Sequence, residues 1–201
     1  TDLDIPGGPR WAPSGNGLVI SSYRTISSGS GGSTRRSAIL RVGLDGSSEE
    51  IKPNIQPELP GFEPDVSPNG GKIAFTGVSG GSFKIWTMDL DGGNPQKIEA
   101  VNWQSGPRFS PDGKQIVFQQ HRSSGTRKDL YIASADGSEA RMLASSPTAS
   151  NPASPSWSPD GKRIVYAMNG GFYSIKTDGS DNTQLFPNLG APATLGEINW
   201  K

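Results

Sequence analysis

Pro107-Arg108-Phe109-Ser110-Pro111-Asp112-Gly113 is one of four near-copies of a single phrase in this chain. The others are Pro9-Arg10-Trp11-Ala12-Pro13-Ser14-Gly15, Pro64-Asp65-Val66-Ser67-Pro68-Asn69-Gly70 and Pro155-Ser156-Trp157-Ser158-Pro159-Asp160-Gly161. A fifth, clipped copy, Ile198-Asn199-Trp200-Lys201, ends the sequence. Repetition at roughly 45 residues means that one supersecondary unit is copied about or along an axis.

The residues after each phrase define the unit. Leu18, Ile73, Ile116 and Ile164 follow at one fixed offset, and Ile20, Phe75, Phe118 and Tyr166 follow two residues later. That alternation of β-branched and aromatic residues is a strand with one buried face. A second hydrophobic run comes next in each copy: Ile39 to Val42, Ile85 to Met88, Leu130 to Ala133 and Phe172 to Ile175. An Asp-Gly pair closes each run, at Asp45-Gly46, Asp91-Gly92, Asp136-Gly137 and Asp178-Gly179. A short last strand then carries Ile51, Ile98, Leu143 or Leu185. Every unit thus reads as four antiparallel strands, a to d. Proline, Asp or Asn, and Gly make the a–b turn, and Asp-Gly makes the c–d hairpin. No stretch holds a helical period. The chain reads as all-β, a β-propeller of four-stranded blades at about 6–56, 57–100, 101–147 and 148–190, with the start of a fifth at 196–201.

Ser-Pro-Asp-Gly-Lys followed by Ile-Val-Phe or Ile-Val-Tyr, then Leu-Tyr-Ile and Asp-Gly, resembles the PD40 or WD40-like repeats of TolB-like propellers. Pro107 to Lys114 and Pro155 to Lys162 match best. The Pro64 copy departs at Val66 and Asn69, and the Pro9 copy at Ala12, Ser14 and Gly15. The resemblance covers nearly the whole chain. It implies a periplasmic or extracellular location and a six-bladed ring. Such repeats occur in scaffold proteins, in secreted binding modules and in propellers attached to prolyl-oligopeptidase-like enzymes, so it implies little about activity.

Four copies of strands b, c and d stand against five of strand a. Three readings follow: an excerpt of a larger, six-bladed propeller, a compact four-bladed ring with an overlapping last strand, or a terminal strand that pairs with another chain. Composition narrows the partners. The 201 residues carry 19 basic and 19 acidic side chains, which argues against general nucleic-acid or anionic-membrane binding. No apolar run reaches the length of a membrane span. There is no cysteine, which removes disulfides and thiolate chemistry.

Catalytic motifs are sparse. His121 is the single histidine, so any Ser-His-Asp triad would have to use it. Gly77-Val78-Ser79-Gly80-Gly81 has the form G-x-S-x-G, but it falls between two strands rather than between a strand and a helix. Asp89-Leu90-Asp91-Gly92-Gly93-Asn94 begins like a calcium loop, yet Ala100 stands where the bidentate glutamate belongs. Glu58, Glu63 and Asp65 offer carboxylates that nothing in the sequence brings together. The expectation is a protein without catalytic residues, metal or cofactor.

Topology directs the search for a binding site. The a–b and c–d turns share one face and are uniform, whereas the b–c and d–a loops share the other and vary. Variable loops on a rigid scaffold are where contacts concentrate. The b–c candidates are Arg24, Arg35 and Arg36 in the first unit and His121, Arg122, Arg127 and Lys128 in the third. The d–a candidates are Phe62, Glu63, Trp103 and Gln104. A second set, Arg10, Asp65, Arg108, Ser156 and Asn199, precedes the strand-a aromatics and points toward the channel, where Arg10 or Arg108 can pair with Asp65. The expected partner is a protein, with a glycan second. The rival readings are an accessory propeller gating a prolyl-oligopeptidase-like peptidase, and a structural subunit assembling through its terminal strand.

Overall fold

The computed structural model describes residues 8–27, 33–55, 59–100, 102–122, 127–145 and 151–186, with backbone alone at 24–27, 33–35 and 186. These residues contain sixteen strands in four antiparallel sheets, and no helix. Blade 1 is β1 (Arg10–Trp11), β2 (Gly17–Ser27), β3 (Ser33–Gly43) and β4 (Ser48–Ile51). Blade 2 is β5 (Gly61–Val66), β6 (Lys72–Ser79), β7 (Ser82–Asp89) and β8 (Gln96–Lys97). Blade 3 is β9 (Gln104–Phe109), β10 (Gln115–His121), β11 (Lys128–Ser134) and β12 (Arg141–Ser145). Blade 4 is β13 (Ala153–Trp157), β14 (Arg163–Met168), β15 (Gly171–Lys176) and β16 (Thr183–Phe186). Each sheet pairs its strands in sequence order, so the chain is an array of β-propeller blades with β1, β5, β9 and β13 innermost.

The alternating hydrophobic residues sit in register across the sheets. Ile73 faces Met88 and Phe75 faces Trp86, while Ile164 faces Ile175 and Tyr166 faces Tyr173. The Gly/Ser-rich segment between the b–c candidates Arg24 and Arg35, which were expected in a loop, begins and ends as strand. Pairing of β2 with β3 runs out to Ser27 and Ser33, which makes the first hairpin the longest.

The a–b turn is a closed hydrogen-bond circuit. In blade 3 the Ser110 hydroxyl donates to Asp112 Oδ1 at 2.6 Å and accepts from the Gln115 amide at 2.9 Å. Asp112 Oδ1 accepts in turn from the Lys114 amide at 3.0 Å. Ser158 and Asp160 repeat the circuit in blade 4, and Ser67 and Asn69 repeat it in blade 2. Blade 1 has Ala12 in place of the serine, and its turn is held by Ser14 donating to Asn16. These serines are buried, which is why the position takes a small side chain that supplies both a donor and an acceptor.

The turn glycines also join blades. A Cβ added at Gly70 would lie 3.5 Å from Pro13 Cδ, one at Gly113 3.6 Å from Pro68 Cδ, and one at Gly161 3.7 Å from Pro111 Cδ. Each a–b glycine therefore rests on the proline of the preceding blade. The c–d glycines meet the preceding blade's outer strand instead. An added Cβ would sit 2.0 Å from the Lys52 carbonyl at Gly92, 2.8 Å from that of Lys97 at Gly137 and 3.7 Å from that of Leu143 at Gly179. Hydrogen bonds accompany the contact, with the Asn54 amide donating to the Gly92 carbonyl at 2.8 Å and Arg41 donating to the Leu90 carbonyl at 2.8 Å.

The hydrophobic core is likewise divided by joint rather than by blade. One cluster packs Val19, Ile39 and Ile51 of blade 1 on Ile73, Phe75, Trp86 and Met88 of blade 2. A second packs Ala74, Ile85 and Ile98 on Phe109, Ile116 and Phe118, and a third packs Val117, Leu130, Ile132 and Leu143 on Trp157, Ile164, Tyr166 and Ile175. At the inner strands a single carboxylate crosses two joints. Asp65 Oδ1 accepts from Arg10 Nε of blade 1 at 2.9 Å, and Asp65 Oδ2 accepts from the Phe109 amide of blade 3 at 2.8 Å. Trp157 Nε1 continues the line by donating to the Arg108 carbonyl at 3.0 Å.

Two outcomes test this account of the turns. Gly46 and Gly92 both have positive φ, at 83° and 90°, but an added Cβ meets nothing within 4 Å at Gly46. Gly46→Ala should cost about 1 kcal/mol of left-handed strain, and Gly92→Ala at least about 2 kcal/mol more by overpacking the joint, read from urea unfolding midpoints. The second outcome concerns acid. Bonds from the serine hydroxyls and following amides hold Asp112 and Asp160 below the ordinary carboxylate value of 3.8. A lowered folded pKa gives stability that is present above 3.8 and lost as pH falls through the lowered value. The Asp112→Asn/Asp160→Asn variant should therefore be less stable than the parent at pH 7, and the gap should close below about pH 4.

Candidate functional site

Both turn types lie at one end of the blades: in blade 2 the c–d residue Leu90 donates its amide to the Gly71 carbonyl of the a–b turn at 3.2 Å. The b–c and d–a segments occupy the other end, and there four aromatic rings meet in a line across blades 2 and 3. Phe62 and Phe83 have ring centroids 5.6 Å apart at 85°, Phe83 and Trp103 5.1 Å apart at 89°, and Trp103 and His121 6.0 Å apart at 60°. Edge-to-face contacts of this kind fix ring orientation while leaving edges available. Trp103 stays 46% exposed in the midst of them.

Local sequence explains the line. Gly80 and Gly81, at φ 57° and 75°, close the β6–β7 hairpin in two residues and set Phe83 opposite Val78. Gly61 keeps the top of β5 close, since a Cβ there would lie 2.7 Å from Phe75. Glu63, at φ 53°, sits where β5 shifts register between Phe62 and Asp65. Its Oε2 accepts from Thr76 Oγ1 and from the Gly106 amide, both at 2.9 Å, which ties blade 2 to blade 3. Asn102, at φ 63°, turns the chain into Trp103, whose carbonyl accepts from the His121 amide at 2.7 Å.

Basic residues lie next to the tryptophan's neighbours Asn102 and His121. Lys84 Nζ donates to the carbonyls of Ala100 at 2.9 Å and Asn102 at 2.7 Å, and burial, with Lys97 nearby, lowers its pKa. Lys128 pairs across the sheet with His121, and its Nζ lies 3.3 Å from Gln119 Oε1. Burial first, and then Lys128, lower the His121 pKa below 6.5. Arg127 is exposed. Arg122 grips Asp129 with Nε at 2.8 Å and Nη2 at 2.6 Å.

Several expected loop residues belong to strands. Phe62 and Glu63 lie in β5, His121 ends β10 and Lys128 begins β11. Gln104 is a correction of substance: it is fully buried at the start of β9, where its Oε1 accepts from the Ile85 amide at 2.7 Å, so it fastens two blades and offers no contact surface. Arg24, Arg35 and Arg36 belong to β2 and β3 rather than to a loop. Arg36 is paired with Glu50 at 2.6 Å, and the side chains of Arg24 and Arg35 fall outside the described residues. In the channel set, Arg10 and Asp65 form the ion pair, Arg108 Nη1 donates to the Pro107 carbonyl at 2.7 Å, and Ser156 is half-buried in β13. Burial raises the Asp65 pKa, against the opposing pull of Arg108, the Phe109 amide and Arg10. Asn199, and with it the expected surplus strand, lies outside the described residues.

The sequence reading missed Phe83 and Lys84, since it began the second strand of that unit at Ile85. Phe83 keeps the alternation with Ile85 and follows the Gly-Gly turn by two residues, which was the available signal. Ser79 of the G-x-S-x-G match pairs with Ser82 inside the tight hairpin, so it is not a nucleophile elbow. The carboxylates of the calcium-like stretch are engaged within the turn: Asp89 accepts from Lys72 at 2.9 Å and from Asn94 at 2.6 Å, and Asp91 accepts from the Gly93 amide at 2.9 Å.

Known proteins agree with this architecture. The family described as "TolB beta propeller domain", PD40, matches residues 30–188. The Tol-Pal system protein TolB of Francisella tularensis is 31% identical over 80 residues, which make up 38% of this chain and 18% of that protein. The chain thus matches less than a fifth of this relative's length. The structure of putative TolB from Agrobacterium tumefaciens superposes with a TM-score of 0.64 at 20% identity, covering 92% of this chain and 82% of that one. A structure of a nidogen/laminin complex superposes with a TM-score of 0.68 at 14% identity, covering 91% and 65%. At such identities the structures speak for the fold alone. The match over most of the sequence, on an array of four-stranded blades, settles the family: the chain belongs to the PD40 family of TolB β-propeller domains.

Proposed function

We propose that this propeller is a non-catalytic scaffold that binds a protein partner through the face bearing Phe62, Phe83, Trp103 and His121, in the periplasm or outside the cell. The observation that carries the reading is Trp103, a large ring left 46% exposed between Phe83 and His121. Exposed aromatics on rigid supports are what protein interfaces use as anchors. Lys84 bonds the Asn102 carbonyl just before it, Lys128 pairs across the sheet with His121, and Arg127 is exposed next to Lys128 in the chain. Glu63 and Asp129 are engaged by Thr76, Gly106 and Arg122, and Glu99, close enough to act on Lys84, pairs with Lys97. The face therefore favours a partner with an apolar anchor among acidic groups.

A protein is favoured over a glycan because the rings meet edge to face, which gives a ridge rather than a flat platform. The relative named for the Tol-Pal system supports protein binding and, with the family resemblance, a site outside the cytoplasm.

Trp103→Ala and Arg127→Ala should together reduce capture of the partner at least about 10-fold, without moving the urea midpoint. Lys162→Ala, on the turn face, should leave capture unchanged. The measurement is quantitative pull-down from an envelope fraction of the source cells, with unfolding curves for each variant. Unchanged capture by the Trp103 variant would refute the face.

A further inference from the structure

Blade 2 has a shorter outer strand than its neighbours, and a stretch of its sheet edge is left unpaired. β8 spans two residues and meets only Trp86 and Thr87 of β7, whereas β12 follows β11 out to Asp129. Nearer the loop end the edge of β7 is completed by other means. The Ile85 carbonyl accepts from the Ile98 amide at 2.9 Å, and the Ile85 amide donates to Gln104 Oε1 at 2.7 Å. Both backbone groups of Ile85 therefore point away from β6. Every second residue of a strand repeats that direction, so Phe83 also turns its N–H and C=O outward. Neither group has a partner among the described residues. Blade 3 has the same position filled: Lys128, the equivalent of Phe83 in the repeat, donates its amide to Asn151 Oδ1 at 2.7 Å. Blade 2 packs on blade 1 at one side and on blade 3 at the other, so this open edge is internal to the array.

We propose that the edge takes an extended segment of a protein partner, which pairs with Phe83 as an added strand. The proposal rests on the reading of the Trp103 face as a binding face and says how the partner is held there. An extended backbone offers an acceptor for the Phe83 N–H and a donor for its C=O at strand spacing. The partner residue opposite Phe83 sets its side chain on the same face of the sheet as the Phe83 ring. That ring meets Trp103 edge to face at 5.1 Å, and Trp103 is 46% exposed, so the side chain that fits is apolar. The partner residues on either side of it project to the other face, which is that of Lys84. Lys84 bonds carbonyls rather than a carboxylate, so its charge favours an acidic residue there. The recognised sequence is thus an apolar residue flanked by Asp or Glu, in extended form.

Amide exchange and a peptide library test this together. In the free chain the Phe83 amide should exchange at least about 10-fold faster than that of Ile85, which Gln104 caps. Decapeptides selected on the intact chain from a random phage-displayed library should carry the acidic–apolar–acidic pattern and should not bind the Trp103→Ala variant. A selected peptide, once synthesised, should slow exchange at Phe83. Phenyllactic acid in place of Phe83 replaces the N–H with an ester oxygen and keeps the ring. It should weaken that peptide about 3- to 10-fold, with an unchanged far-ultraviolet spectrum. A Phe83 amide as protected as that of Ile85 in the free chain would show the edge already covered, by the chain itself or by a second copy, and would overturn the proposal. Peptides that need Trp103, yet leave Phe83 exchange unchanged and bind the ester equally, would overturn strand addition and leave the face standing. If no selected peptide depends on Trp103, both readings fall.

Discussion

The buried carboxylate of Asp65 is the point on which the inner edge of the array turns. It lies in the second blade, yet one oxygen is bonded to Arg10 of the first and the other to the Phe109 amide of the third. A buried charge is costly unless each of its lone pairs finds a donor, and a charge so placed tolerates little displacement of those donors. Its raised pKa expresses that cost, with burial outweighing the two arginines and the amide. Three of the innermost strands, β1, β5 and β9, are consequently held in one relative position. The hydrophobic clusters, which lie between blades rather than within them, pack against that fixed frame.

The repeated phrase serves the same end at the turn face. Its serine and aspartate close the turn, its glycine seats on the proline of the blade before, and the Asp-Gly turn seats on that blade's outer strand. Adjacent units are therefore cemented by backbone and small side chains, which gives repeat arrays their nearest-neighbour energetics. The opposite end joins blades as well, through Glu63 and Gln104, and there Trp103 and Phe83 are also presented.

How much of this could be read from the residues depends on the range of the interaction. Strand alternation and turn chemistry are local, so Ile73, Phe75, Ile116 and Phe118 identified their strands, and the Asp-Gly pairs identified their hairpins. The Arg10–Asp65 pair was legible because repeat alignment puts the two at equivalent places on neighbouring blades. Gln104 was misplaced because its partner, the Ile85 amide, is on another blade, and no local pattern announces a side chain that caps a distant strand. Arg36 was misplaced because the Gly/Ser-rich composition concealed an extended hairpin. Phe83 was missed because its role arises only where two blades bring their loop ends together.

Amide hydrogen exchange at Phe109 tests the central claim most directly. If Asp65 binds the blades into one cooperative frame, the Phe109 amide should exchange only through global unfolding, with the same denaturant dependence as the core amides of Ile116 and Phe118. Exchange of Phe109 through local opening, insensitive to denaturant while Ile116 and Phe118 remain protected, would show that the inner strands separate singly and would contradict the account.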